Sequence, residues 1–174
     1  MKKLPVDNKV IQESHEVSYF MGDIVHIART DLIWLKEQAN SSKENKARIC
    51  THQNKNSLVH EMIIAHKKGN FIPPHRHPKR IESLSVIEGE AIFFTFSEAG
   101  EIIQSIAVSA DEGIKYIRIN HDFYHTLLIK SDYFIYHEVT QGPFNDSSIQ
   151  ISDWSPNIND DDAIDSFLKQ LASY

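Results

Sequence analysis

The chain has 174 residues, 41% hydrophobic and 24% charged, a size and balance that suit one globular domain with one hydrophobic core. Asp and Glu number 24 against 18 Lys and Arg, giving a formal charge of −6 and a pI near 5.9. That balance excludes broad nucleic-acid binding, which needs a net basic surface, and no apolar run reaches the roughly 18 residues of a membrane span, so a small molecule is the expected partner.

At the start, Lys2 and Lys3 precede Leu4-Pro5-Val6, and Asp7-Asn8-Lys9 then interrupts any apolar core that a secretory signal would need. The single cysteine, Cys50, can form no internal disulfide and reads as a small core residue, so the cytoplasm is the expected compartment. Residues 29–40 read as a short helix with Asp31 at its capped end and an apolar stripe of Leu32, Leu35 and Ala39. From residue 58 the pattern changes to short β-rich runs: 58–65, 83–87, 91–96, 102–108, 115–119, 125–129 and 133–139. Polar or glycine-bearing breaks such as Glu88-Gly89-Glu90 and Ser97-Glu98-Ala99-Gly100 separate them at spacings that suit antiparallel hairpins. Near the end, Asp160-Asp161-Asp162 marks a helix N-terminus, and Ile164, Phe167, Leu168 and Leu171 follow at helical spacing. The expected architecture is mainly β, a single-domain barrel or sandwich with a short N-terminal helix and a C-terminal helix. Its expected divisions are an N-terminal segment with a helix packing on the barrel (1–57), the barrel (58–144) and a C-terminal tail with a helix (145–174).

The segment from Gly69 to Gly89 carries the chemistry. His75 and His77 are separated by one residue, so strand alternation puts both imidazoles on one face and Arg76 on the other. After the break at Pro78, Glu82 can arrive on the next strand. His125, on a run whose alternation continues through Leu127 and Ile129, is the candidate fourth ligand from a neighbouring strand. Three imidazoles and one carboxylate suit one divalent first-row ion, Fe, Mn, Co, Ni or Zn, and leave coordination positions open if the ion takes five or six ligands.

These residues carry a family resemblance. Gly69, His75, His77, Glu82 and Gly89 resemble the first sequence motif of the cupin superfamily. Gly113 and His125 resemble the opening glycine and the histidine of its second motif, whose proline-glycine turn is replaced here by Asn120-His121-Asp122. More narrowly, the chain resembles the WbuC family of cupin-fold metalloproteins through Pro74-His75-Arg76-His77-Pro78, Glu82-Ser83, Tyr124-His125-Thr126-Leu127, Glu138-Val139-Thr140-Gln141-Gly142-Pro143-Phe144 and Trp154-Ser155-Pro156. The resemblance implies a jelly-roll barrel with a metal inside and a link to bacterial surface-polysaccharide biosynthesis, which makes a sugar or sugar nucleotide the substrate class to test.

Glu138 then becomes a candidate pocket acid with a catalytic role, and Tyr136 shares its face as a candidate substrate contact. Lys67, Lys68, Arg76, Lys79 and Arg80 form a basic cluster beside the motif, of which Arg76 and Lys79 are candidate substrate-binding residues that could steer a phosphate or carboxylate. The leading expectation is a metal-dependent enzyme with isomerase or epimerase-type Lewis-acid chemistry. The alternatives are a non-catalytic ligand-binding or regulatory module and an iron-dependent dioxygenase. Barrels with exposed edge strands often pair, so a homodimer is the default expectation.

Overall fold

The computed structural model describes residues 9–174, so residues 1–8, on which most of the reading against export rests, lie outside the described residues. In chain order the elements are β1 (Lys9–Gln12), β2 (Val17–Met21), α1 (Arg29–Ser41), β3 (Lys46–Cys50), β4 (Val59–Lys67), β5 (His75–Arg76) and β6 (Glu82–Glu88). There follow β7 (Glu90–Phe96), β8 (Ile102–Ser109), β9 (Tyr116–Ile119), β10 (Tyr124–Ile129), β11 (Tyr133–Gln141), a 3-10 turn (Asp146–Ser148), β12 (Gln150–Ile151) and α2 (Asp161–Ala172). Each of the seven strands expected from the β-rich runs is present, with ends shifted by no more than two residues. The expected mainly-β fold with two helices is therefore the observed one.

The strands form two sheets, one of seven in the order β1-β2-β3-β4-β11-β6-β9 and one of five in the order β12-β5-β10-β7-β8. All the pairings between these strands are antiparallel except β2 with β3. Between the sheets lies a core of Met62, Ile64, Leu84, Phe134 and Tyr136 from the larger sheet against Phe93, Val108, Leu127 and Ile129 from the smaller. Each sheet is also covered on its outer face. Leu35 and Ala39 of α1 are fully buried against Ala47, Ile49, Ile63 and Ile135, and Leu171 of α2 packs with Phe94, Phe96, Tyr124 and Leu128. Strands buried on both faces lose the simple apolar-polar alternation, which is why β10 reads as a continuous buried run. Burial of one leucine such as Leu35 contributes about 1.5–3 kcal/mol.

Local chemistry fixes the ends of these elements. The Asp31 carboxylate accepts the Ala28 N–H at 2.7 Å in the first turn of α1, and the Asp160 carboxylate accepts the Ala163 N–H at 3.0 Å at the start of α2. Gly89, between β6 and β7, has φ +82°, and a Cβ there would stand 2.1 Å from the Tyr133 carbonyl oxygen, so the hairpin closes only around glycine. Gly142, just past β11, is required for a different reason: a Cβ would fall 1.9 Å from the Ser57 carbonyl oxygen and 2.7 Å from the His60 ring. Its bare backbone lets the segment after β11 lie against the start of β4 and continue into the 3-10 turn, which closes one side of the site.

Five strands lie outside the seven β-rich runs: β1, β2, β3, the short β5 and β12. β1, β2 and β3 extend the larger sheet from the N-terminal side, with Arg48 opposite Ile64 in the β3–β4 register. Ala47 and Ile49 turn outward under α1, so alternation turns Arg48 and Cys50 inward.

Candidate metal centre

His75 on β5 and His125 on β10 are direct cross-strand partners in the antiparallel register, with ring centroids 4.5 Å apart. His77, just past β5, places its ring 5.1 Å from that of His75 and 5.7 Å from that of His125. One ring nitrogen from each of the three lies within 4.8 Å of the others. The other nitrogens explain the arrangement. Nδ1 of His75 donates to the Pro73 carbonyl at 2.8 Å, Nδ1 of His77 to the Ser148 carbonyl at 2.9 Å, and Nδ1 of His125 to the Phe123 carbonyl at 3.0 Å. A carbonyl can only accept, so each neutral ring carries its proton on Nδ1 and offers a lone pair at Nε2.

Glu82, the first residue of β6 on the opposite sheet, is only 6% exposed. Its Oε2 stands 2.9 Å from His77 Nε2 and 3.7 Å from His125 Nε2. Glu82 Oε2 and His125 Nε2 are buried without a hydrogen-bond partner. Each buried acceptor left in that state costs about 1–3 kcal/mol, and electron-pair donors facing one another call for a cation between them. The residues therefore fit a metal ion: His75, His77 and His125 form a triad that could hold one, with the Glu82 carboxylate against it.

Protonation follows the same logic. Burial holds His75 down to about 3, aided by the neighbouring imidazoles of His125 and His77, and burial lowers His125 against the opposing charge of Glu82. For His77, burial works downward, but contact with Glu82 outweighs it and the net shift is upward. Burial works upward on Glu82, yet its contact with His77 and the surrounding imidazoles hold it well below the usual carboxylate range. Glu138, on the inner face of β11, is pushed up to about 8 by burial and by the charge of Glu82. One of these two carboxyls is thus ionised and the other retains its proton, as expected for acids sharing a wall.

Beyond the triad the space between the sheets opens into a cavity of about 320 Å³ that His77, Glu138 and Ser148 share with Arg48, His60 and Arg80. Tyr136 is on the inner face of β11, lines the space beside His75 and Glu138, and approaches His66 Nε2 through its hydroxyl at 3.3 Å. Burial, then Glu138 and Glu82, raise its hydroxyl well above the ordinary value. Arg76 points to the other face, stacked over the Tyr124 ring at 4.4 Å and bonded to Gln150 at 2.9 Å and Glu98 at 2.5 Å. Lys79 stands exposed on the loop after His77, its backbone N–H bonded to Asp122. Of the basic cluster, Arg80 alone lines the 320 Å³ cavity. The cavity's other cations, Arg48 and Lys55, were not singled out by sequence reasoning; Ala47-Arg48-Ile49 alternates, but over too few residues to stand out from its neighbours.

Residues 27–108, less than half of the chain, match the family described as a domain of unknown function, DUF6016. No curated protein matches the sequence. Among solved structures, CapF with the inhibitor 3-isopropenyl-tropolone aligns with a TM-score of 0.54 at 15% identity, over 64% of this chain and 32% of that one. The capsular polysaccharide assembling protein CapF from Staphylococcus aureus aligns at 0.47 and 15% identity, over 60% of this chain and 34% of that one. Oxalate oxidase in complex with the substrate analogue glycolate aligns at 0.48 and 20% identity, over 64% and 57%. The chain spans about a third of the length of CapF. No helix among the described residues is long and apolar enough to cross a membrane. The paired sheets, their topology and the CapF alignment together make this a mainly-β jelly roll of the cupin fold.

Proposed function

We propose that the chain binds one divalent transition ion, Fe, Mn, Co, Ni or Zn, through His75, His77, His125 and Glu82, and acts as an enzyme on a small polar metabolite. The observation that carries this reading is the set of three Nδ1-to-carbonyl bonds, which leaves three Nε2 lone pairs grouped together, those of His77 and His125 facing a buried Glu82 oxygen that has no hydrogen-bond donor. When bound, the ion would provide Lewis-acid polarisation of a carbonyl or hydroxyl oxygen. Glu138 is the group of this chain placed to hold or move a proton at the ligand, since it borders both the triad and the open cavity. Tyr136 shapes the wall beside it. Isomerisation or epimerisation of a sugar or sugar nucleotide fits that division, because such reactions move a proton without a net redox change. The motif resemblance to the WbuC family supports a place in surface-polysaccharide biosynthesis, and the fold alone does not choose among reactions.

The test is the elemental content of untagged protein beside a His75→Ala, His77→Ala variant. About one equivalent of a transition metal in the wild type and none in the variant is the expected result. Protein that carries no metal and takes up none of the five ions on titration would overturn the proposal. Turnover of a sugar substrate by the metal-loaded protein then distinguishes an enzyme from a module that only captures its ligand.

A further inference from the structure

The cavity beside the triad is charged in a way that the metal ligands do not explain. In a chain of formal charge −6, Arg48, Lys55 and Arg80 all line this one cavity. Among the described residues none of the three is ion-paired with a carboxylate, whereas Arg76 is paired with Glu98, Lys36 with Glu88 and Lys46 with Glu44. Arg80 is fixed in place by neutral partners: its Nη1 donates to the Gln141 carbonyl and its Nη2 to the Pro143 carbonyl at 2.6 Å. With five N–H donors on a guanidinium, two such bonds leave others for a ligand. The buried His60 ring stacks on His52 with centroids 4.1 Å apart, and beyond the effect of burial the charges of Arg80 and Arg48 both push its protonation down. Two guanidinium charges therefore converge on the same wall. The acids on the cavity are Glu13 and, at the metal end, Glu138.

We propose that this wall is a phosphoryl-binding subsite: the ligand of the metal centre is a phosphorylated small molecule whose phosphoryl group sits among Arg48, Lys55 and Arg80 while its hydroxyl-bearing part reaches His77 and Glu138. Planar guanidinium groups match phosphate oxygens two at a time, and a preorganised cation loses little entropy on binding. The cavity, about 320 Å³, lies within the size range of small-metabolite sites and spans from Arg48 to His77 without a dividing wall. The proposal rests on the reading of the triad as the ligand's other anchor and narrows the substrate class to sugar phosphates or sugar nucleotides.

The experiment is calorimetric titration with inorganic phosphate, glucose 1-phosphate, UDP-glucose, glucuronate and glucose. It uses the wild type, Arg48→Gln, the double variant Arg48→Gln, Arg80→Gln, and His75→Ala, His77→Ala. Arg48 is exposed, so Arg48→Gln keeps the wild-type fold, read by its unfolding temperature and metal content. The expected result is tighter binding of inorganic phosphate and at least one phosphorylated sugar than of glucose or glucuronate, weakened by about tenfold or more in Arg48→Gln and further in the double variant. Inorganic phosphate still binds His75→Ala, His77→Ala, so failure of the metal reading leaves this arm intact. Phosphate compounds that bind no better than glucose or glucuronate, or equally well to Arg48→Gln, overturn the subsite. Phosphate binding that disappears in the histidine variant alone places the anion on the metal and overturns it as well.

Discussion

The five-stranded sheet brings imidazoles to the site and the seven-stranded sheet brings charges, and the two sets are held by different means. His75 and His125 face each other across β5 and β10, His77 follows at once, and each ring is fixed through Nδ1 to a main-chain carbonyl. Glu82, Glu138 and Arg48 come from β6, β11 and β3, and burial and neighbouring charge set the protonation of the two acids. Geometry is thus a property of one sheet and electrostatics of the other. The first is set by the path of the chain, the second by side chains that can be exchanged singly.

The largest expected effect tests whether the imidazoles or the carboxylate dominate metal binding. His75→Ala with His77→Ala abolishes it, whereas Glu82→Gln leaves the triad and weakens affinity by at least about 10–100-fold, the range known for groups one shell further out. Equal metal affinity of Glu82→Gln and wild type, measured by competition with a chelating dye, would break the division. Next in size, Leu35→Ala removes a fully buried contact of α1 with the larger sheet and lowers stability by about 2–5 kcal/mol in urea unfolding. The metal stoichiometry of the folded protein stays unchanged, because α1 touches none of the imidazoles.

A smaller, pH-dependent effect sharpens the contrast between the two acids in chelator-treated protein. The folded protein holds the Glu138 proton up to about 8, well above the ordinary 4.5. Between those values the unfolded chain has released a proton that the native state keeps, so this residue lowers stability progressively as pH rises. Glu138→Gln removes that penalty: its Tm gain over wild type is absent near pH 4, grows through the window and levels off above pH 8. Glu82 behaves oppositely. Its pKa is depressed, so its contribution is present above 4.5 and is lost as pH falls toward the folded value. A Tm difference for Glu138→Gln that is flat across this range would refute the assignment. The smallest effect is Lys36→Ala, which breaks the 2.7 Å pair with Glu88 between α1 and β6 and costs about 0.2–1 kcal/mol, with a strong dependence on salt.

The imidazoles were legible in the sequence because two histidines one residue apart in a strand share a face whatever surrounds them. The same alternation sent Arg76 to the other side, where Tyr124 and Glu98 engage it. Arg48 was hidden for the opposite reason. β3 is five residues long, follows directly on the turn after α1, and reads as Lys46-Ala47-Arg48-Ile49-Cys50, too short for periodicity to rise above its loop-like neighbours. β1 has no buried residue at all and gives no alternation to read. β3 belongs to the sheet through long-range pairing with β2, which local pattern does not encode, and β1 joins it only at the edge, as the hairpin partner of β2. His52 and His60 likewise look like isolated surface histidines until β4 brings their rings into a stack.

The partners that orient the triad are the carbonyls of Pro73, Phe123 and Ser148, and a main-chain carbonyl is present whatever side chain its residue carries. No substitution that preserves the chain path can delete those acceptors. The tautomers are therefore insulated from point mutation, and Arg48, Arg80 and Glu138 are not among the groups that fix the rings through Nδ1. A fold built this way can be re-addressed to a new ligand by changes at the cavity mouth, with its donor nitrogens left where they stand.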